Sequence, residues 1–229
     1  MKTKIGIICA VVDELAPFLP HIQNCTQTTK AMLTIHEGQI NGVEVAALYC
    51  GVGKTNAALA TQILIDSFGA GTIINSGTAG GICQNLNIFD TVICTESVHH
   101  DVHEGILTGF HPWLASVFFK TCDKLAIAAK QAVAVLELDN TTYYGRMVTG
   151  EKFIEDDGRA DIISAYAPLS VDMETASIAH VCYVNAVPYI AVRTITDTAK
   201  DVGLNSFIVN CPAASEISKN IVLGILDTV

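Results

Sequence analysis

The sequence predicts an α/β protein with a mixed central sheet covered by helices on both faces. Short apolar runs alternate with segments of helical periodicity, the pattern of strands separated by helices. Asn41-Gly42 sits between two such runs and favours the positive backbone angles of a tight hairpin, so one strand pair must be antiparallel. Of 229 residues 50% are hydrophobic and 16% charged, enough for residues 1–229 to bury one large core without a second domain.

The first strand is expected over residues 4–10, an isoleucine-rich run, followed by a short helix over 11–19 that stops at Pro20. The hairpin strands are 32–40 and 43–50. Gly51-Val52-Gly53 opens a helix over 54–68, where Ala58, Leu59, Ile63 and Leu64 share a face. Strands follow at 72–75 and 91–95, then a long helix at 117–136 and strands at 142–148, 169–172 and 189–196. The remaining helices are expected at 174–183 and 213–226, with Cys211-Pro212 as a break ahead of the last one. In such a sheet the ligand belongs at the carboxyl ends of the strands.

A formal charge of −10 disfavours nucleic acid and anionic membranes as partners, because both demand clustered Lys and Arg. No charged-then-apolar leader opens the chain, and the apolar stretch 178–192 is interrupted by His180, Asn185 and Pro188. A cytoplasmic protein is therefore expected. The eight cysteines show neither a C-x-x-C pair nor zinc-type spacing and read as small buried hydrophobes. Gly53-Lys54-Thr55 fails as a phosphate-binding P-loop because position 48 is Leu48 rather than glycine, and no G-x-G-x-x-G is complete. His99, His100, Asp101, His103 and Glu104 are the densest set of possible metal ligands, but neighbours on a strand end point to opposite sides, so a polar loop is expected and no metal.

Three acids stand where strands give way to the next element: Glu14, Glu174 and Asp197. Each alone would pass for a solvated helix start. Together, behind buried-looking runs and beside glycines, they mark a site.

Asn75-Ser76-Gly77-Thr78-Ala79-Gly80-Gly81, Val171-Asp172-Met173-Glu174-Thr175-Ala176 and Arg193-Thr194-Ile195-Thr196-Asp197-Thr198-Ala199 resemble signatures of the nucleoside phosphorylase and nucleosidase superfamily, and within it most closely those of the 5′-methylthioadenosine/S-adenosylhomocysteine nucleosidases. The resemblance implies a three-layer α/β/α sandwich, a homodimer, no cofactor, an adenine nucleoside as substrate and a place in methionine salvage. It implies that Glu14 activates the attacking water, that Glu174 grips the ribose hydroxyls with Met173 beside the sugar, and that Asp197 protonates adenine. Phe153 and Ile154 correspond to the segment that stacks on the base, Phe207 to an aromatic flanking the purine, and Thr78 and Arg193 to supporting positions.

Cleaving an N-glycosidic bond builds positive charge on the sugar and negative charge on the leaving base. A carboxylic acid must protonate the base while a second carboxylate activates water, which requires environments that separate their proton affinities. Three outcomes are open: hydrolysis, phosphorolysis and binding without catalysis. Phosphorolysis wants arginines for phosphate, and only Arg146, Arg159 and Arg193 exist, with Arg193 alone in a motif. A binder would not need all three acids. The stretch 100–119 departs from the nucleosidase pattern; there Phe110, Pro112 and Trp113 are candidates for an apolar lid over a 5′-alkylthio group or for interface packing.

Overall fold

The computed structural model describes residues 4–111, 113–155, 158–201 and 203–228. The chain opens with β1 (Lys4–Cys9) and α1 (Val12–Leu15), then β2 (Gln23–Lys30), β3 (Leu33–Ile40), β4 (Val43–Tyr49) and α2 (Lys54–Phe68). Next come β5 (Ala70–Gly81), β6 (Thr91–His99), α3 (Glu104–Phe110), β7 (Phe119–Lys120), α4 (Asp123–Val135) and β8 (Thr142–Thr149). The last elements are α5 (Arg159–Tyr166), β9 (Ser170–Asp172), α6 (Thr175–Val184), β10 (Tyr189–Asp197) and α7 (Leu204–Leu226).

β1 lies between β4 and β5 and runs parallel to both, and β5 is parallel to β10, so the carboxyl ends of β1, β5 and β10 share one edge. β3 and β2 extend the sheet as an antiparallel wing, with Asn41 and Gly42 at φ 51° and 78° in the expected hairpin turn. On the other side the sheet does not stay open. β10 pairs antiparallel with β6, β6 runs parallel to β8 and β8 to β9, and β9 returns antiparallel to β5.

Alternation along β1 sends Ile8 to one face and Ile5, Ile7 and Cys9 to the other. The first face packs on α2 and α6 through Ala57, Ala60, Leu64 and Ile178, the second on α4 and α7 through Ala128, Ala132, Ile221 and Ile225. These two apolar layers make the three-layer α/β/α sandwich, each fully buried aliphatic side chain contributing roughly 1.5–3 kcal/mol.

Several elements differ from expectation. The helix expected over 11–19 is a single turn, α1, followed by a 3₁₀ turn at Ala16–His21, since Pro17 and Pro20 lack the N–H groups a longer α-helix needs. The helix expected over 117–136 begins only at Asp123: Phe119 and Lys120 pair with Ser97 and Glu96 as β7, and the Thr121 hydroxyl donates to the carbonyl of Cys94 at 2.7 Å. Pro212 does not break the last helix, which runs unbroken from Leu204, because Cys211, Ala214, Ser215 and Ser218 present a buried face and packing outweighs the lost hydrogen bond. β2 has no counterpart among the expected strands; every residue in it is exposed, so it has no apolar alternation to read. The short helices α3 and α5 were likewise not legible.

Candidate active site

β1 ends at Cys9, and the turn after it folds around the side chain of Glu14. Its Oε2 accepts from the amides of Ala10 and Val11 at 2.6 and 3.2 Å, while Oε1 accepts from the amide and hydroxyl of Thr78 at 2.7 and 2.8 Å. A carboxylate on a one-turn helix is thus locked to β5, and it is 2% exposed.

Arg193 lies inside β10 with no exposed surface. Its Nη2 donates to Glu174 Oε2 at 3.0 Å, its Nε lies 3.2 Å from Asp172 Oδ2, and its Nη1 lies 3.6 Å from Glu14 Oε1. Burial alone would disfavour the guanidinium charge, but the three carboxylates outweigh it and hold Arg193 firmly protonated. Glu174 caps this cluster from the other side: its Oε1 accepts the Gly53 amide at 2.9 Å, at the start of α2. Burial pushes the Glu174 carboxyl up to about 7, opposed by Arg193 and reinforced by Asp172 and Glu14. Asp172 is fixed by the hydroxyls of Thr149, at 2.6 Å, and Thr175.

The sequence argument placed all three acids where strands give way to the next element. The structure adds the direction from which one of them arrives. β9 runs antiparallel to β5, with Val171 opposite Gly80 and Ser170 opposite Gly81, so Asp172 and Glu174 enter the site against the direction of β5.

Asp197 ends β10 and is 2% exposed, its Oδ1 accepting from the Thr196 hydroxyl at 3.0 Å. Burial raises its proton affinity; the Thr196 hydroxyl and the charge of Arg159 pull the other way, and Glu155 adds to the rise. Gly80 lets β5 pass here, since a β-carbon on it would stand 3.0 Å from Asp197 Oδ2.

These groups surround a cavity of about 290 Å³ at the carboxyl edge of the sheet. Glu14, Thr78, Phe153, Ile154, Met173, Glu174, Asp197 and Phe207 all line it. Arg193 does not; it stands behind Glu14 and Glu174 as their common counter-ion. Sequence reasoning missed the part played by Asp172, and also Val52, Lys152 and Leu204 on the wall, for which exposed or apolar side chains give no chemical signal.

The lid candidates are corrected. Phe110 and Trp113 are 85% and 76% exposed and neither lines the cavity. Trp113 packs edge-on against His111, and its carbonyl accepts from the Tyr183 hydroxyl at 3.0 Å, which holds it on the α6 side. Pro112 lies outside the described residues. Of the histidine-rich stretch, His100, Asp101 and His103 lie in the polar loop expected, between β6 and α3, with Asp101 paired to Lys54 Nζ at 2.8 Å; His99 differs, being buried at the end of β6 against Phe119 and His180. Among the described residues no three His, Cys, Asp or Glu side chains gather as metal ligands. All eight cysteines are free thiols.

A mixed sheet closed on one side, layered between helices and holding an acid-ringed cavity at its carboxyl edge, defines the nucleoside phosphorylase-like class of α/β proteins. The chain belongs to the phosphorylase superfamily, whose family model matches residues 4–227. It is 36% identical over 200 residues to a 5′-methylthioadenosine/S-adenosylhomocysteine nucleosidase of Anoxybacillus flavithermus, covering 85% of each chain. Among solved structures it is similar to such a nucleosidase from Colwellia psychrerythraea in complex with adenine (TM-score 0.90, 30% identity, 99% and 96% of the two chains). A second is the enzyme of Neisseria meningitidis in complex with methylthio-immucillin-A (TM-score 0.91, 29% identity, 100% of both chains).

Proposed function

We propose that this chain hydrolyses the N-glycosidic bond of an adenine nucleoside of the 5′-methylthioadenosine or S-adenosylhomocysteine type, releasing adenine. The observation that carries the proposal is the gathering of three buried acids, each in different surroundings, on one cavity. Asp197, whose burial favours its protonated form, stands where Phe153, Ile154 and Phe207 offer flat and apolar surface for a base. Glu14 and Glu174 stand with Met173 on the same cavity as acceptors for water and sugar hydroxyls.

In this reading Asp197 gives its proton to the base as the C–N bond breaks and the electron pair leaves with adenine. Water bonds to the anomeric carbon and passes a proton to Glu14. Four donors already reach Glu14, and a carboxylate has about four lone-pair sites, so the Thr78 hydroxyl, the one donor free to rotate, is the group that yields to water. Glu174 holds the sugar, with Arg193 fixing its orientation from behind.

Water rather than phosphate is favoured by where the cationic and amide donors go. Arg193 is enclosed by Glu14, Asp172 and Glu174, and the first amides of α2, from Gly53 and Lys54, are taken by Glu174 and Glu151. A phosphate placed there would face carboxylates instead of donors.

The same reading makes the protein a cytoplasmic homodimer serving methionine salvage. Exposed Ile106, Phe110 and Trp113 on and after α3 support a second copy covering that face. Among the described residues no helix is long and apolar enough to cross a membrane.

The test is a panel of methylthioadenosine, S-adenosylhomocysteine, 5′-deoxyadenosine, adenosine and a futalosine-type nucleoside, with and without phosphate, reading out free base. Adenine release from the first two without phosphate is expected. Strict phosphate dependence would replace hydrolysis with phosphorolysis, and no cleavage under either condition would end the enzyme reading.

A further inference from the structure

Arg159, the first residue of α5, is 8% exposed and engages no substrate-facing group directly. Its Nε donates to the carbonyl of Glu155 and its Nη1 to the carbonyl of Gly81, both at 2.9 Å. The first carbonyl closes the segment that carries Phe153 and Ile154 on the cavity wall. The second ends β5, one residue after Gly80, on which the Asp197 carboxylate rests. One guanidinium therefore ties together the two walls between which a base would lie. Among the described residues its Nη2 is buried without a hydrogen-bond partner and no carboxylate forms an ion pair with it. Carbonyl dipoles leave the net charge of the group in place, and a poorly solvated charge acts over longer distances than one in water.

We propose that Arg159 is a positioning residue of the cleavage reaction, clamping the Phe153–Ile154 wall to the end of β5 and holding its positive charge within electrostatic reach of Asp197. The inference rests on Asp197 being the acid that protonates the base. Among the described residues, the charged groups acting on Asp197 are Arg159, from α5, and Glu155, from the loop ahead of it. Glu14, Asp172 and Glu174, which line the same cavity from α1, β9 and the start of α6, surround Arg193 instead. Arg159 stabilises the Asp197 carboxylate left after proton transfer, which strengthens the acid, and it opposes the effect of burial, which keeps that acid protonated. A clamp and a charge are separable by substitution.

Arg159→Gln removes the charge and keeps a donor; Arg159→Lys keeps the charge and loses the two-pronged clamp. Glu155→Gln removes the opposing charge from an exposed side chain and serves if Arg159→Gln does not fold. Two readouts are taken: the pH dependence of kcat, whose alkaline limb reports the acid in the bound complex, and the titration of the Asp197 carboxyl carbon by ¹³C NMR, assigned with Asp197→Asn. The expected result is a rise of about half a pH unit or more in both for Arg159→Gln and a fall for Glu155→Gln. For Arg159→Lys the limb stays in place while KM for the nucleoside rises several-fold. An Asp197 titration unmoved by Arg159→Gln or, where that variant does not fold, by Glu155→Gln overturns the charge role, and an unchanged KM in Arg159→Lys overturns the clamp. If wild-type protein releases no base, the functional reading fails, and the NMR titration still decides whether Arg159 acts on Asp197.

Discussion

A β-carbon on Gly77 would stand 2.4 Å from the carboxyl carbon of Glu14. Real β-carbons do not approach so closely, so glycine at this position is what lets β5 run against the carboxylate and donate to it from Thr78. Gly77→Ala is expected to push Glu14 off its four donors, lowering kcat at least about 100-fold and stability by roughly 1–3 kcal/mol. Steady-state kinetics and urea melts measure both; an alanine variant with near-normal kcat would mean that the placement of Glu14 does not matter to turnover.

Glu14→Gln and Asp197→Asn are each expected to cut kcat by about 10²–10⁴, or roughly 3–5 kcal/mol of barrier stabilisation. Adenine affinity, measured by calorimetry, should stay within a few-fold of wild type, because Phe153, Ile154 and Phe207 still form the pocket. Equal losses in affinity and turnover would assign the two acids to binding.

Glu174 makes stability pH-dependent. Its carboxyl is lifted from the ordinary 4.5 to about 7, so between those values the folded state holds more proton than the unfolded chain. This contribution is fully present below about pH 4.5 and is lost as pH rises through 7, at most about 3 kcal/mol for one group. Asp197, also raised, adds in the same direction. Urea unfolding from pH 5 to 8 should show stability declining with pH, with a shallower slope in Glu174→Gln; equal slopes in the two proteins would rule this out.

Removing the counter-ion has the opposite character. Arg193→Met leaves Glu14, Asp172 and Glu174 buried without their shared cation and is expected to cost about 3–5 kcal/mol near neutral pH. The deficit should shrink as acid protonates the carboxylates. A melting temperature insensitive to the substitution at pH 7.5 would show that the cluster is already neutral.

Much of the fold was legible because periodicity survives wherever one face is buried. β1, the β3–β4 hairpin, α2, β8 and β10 fall close to their expected spans, each carrying a clear apolar run or a clear turn. β2 is polar and exposed throughout, and the segment before α4 is apolar in a way that fits strand and helix alike; neither could be assigned from pattern alone. Pro212 misled because a local rule was read without the packing of α7 against β5 and β10 that overrides it.

What the sequence determined by itself is the set of candidate groups. Glu14, Glu174 and Asp197 stand out by residue type and place, Thr78, Phe153, Ile154, Met173 and Phe207 by the family resemblance, and the fold gathers all eight on one cavity. Tertiary structure alone decided how they are poised. Arg193 reads in sequence as one more supporting residue and proves to be the buried hub of three carboxylates, while Asp172 joins them because β9 turns back along β5. Phe110 and Trp113 were removed from the site by the same means. The reason is physical: residue type fixes which charges and donors exist, but their proton affinities depend on burial and on partners brought together from distant parts of the chain.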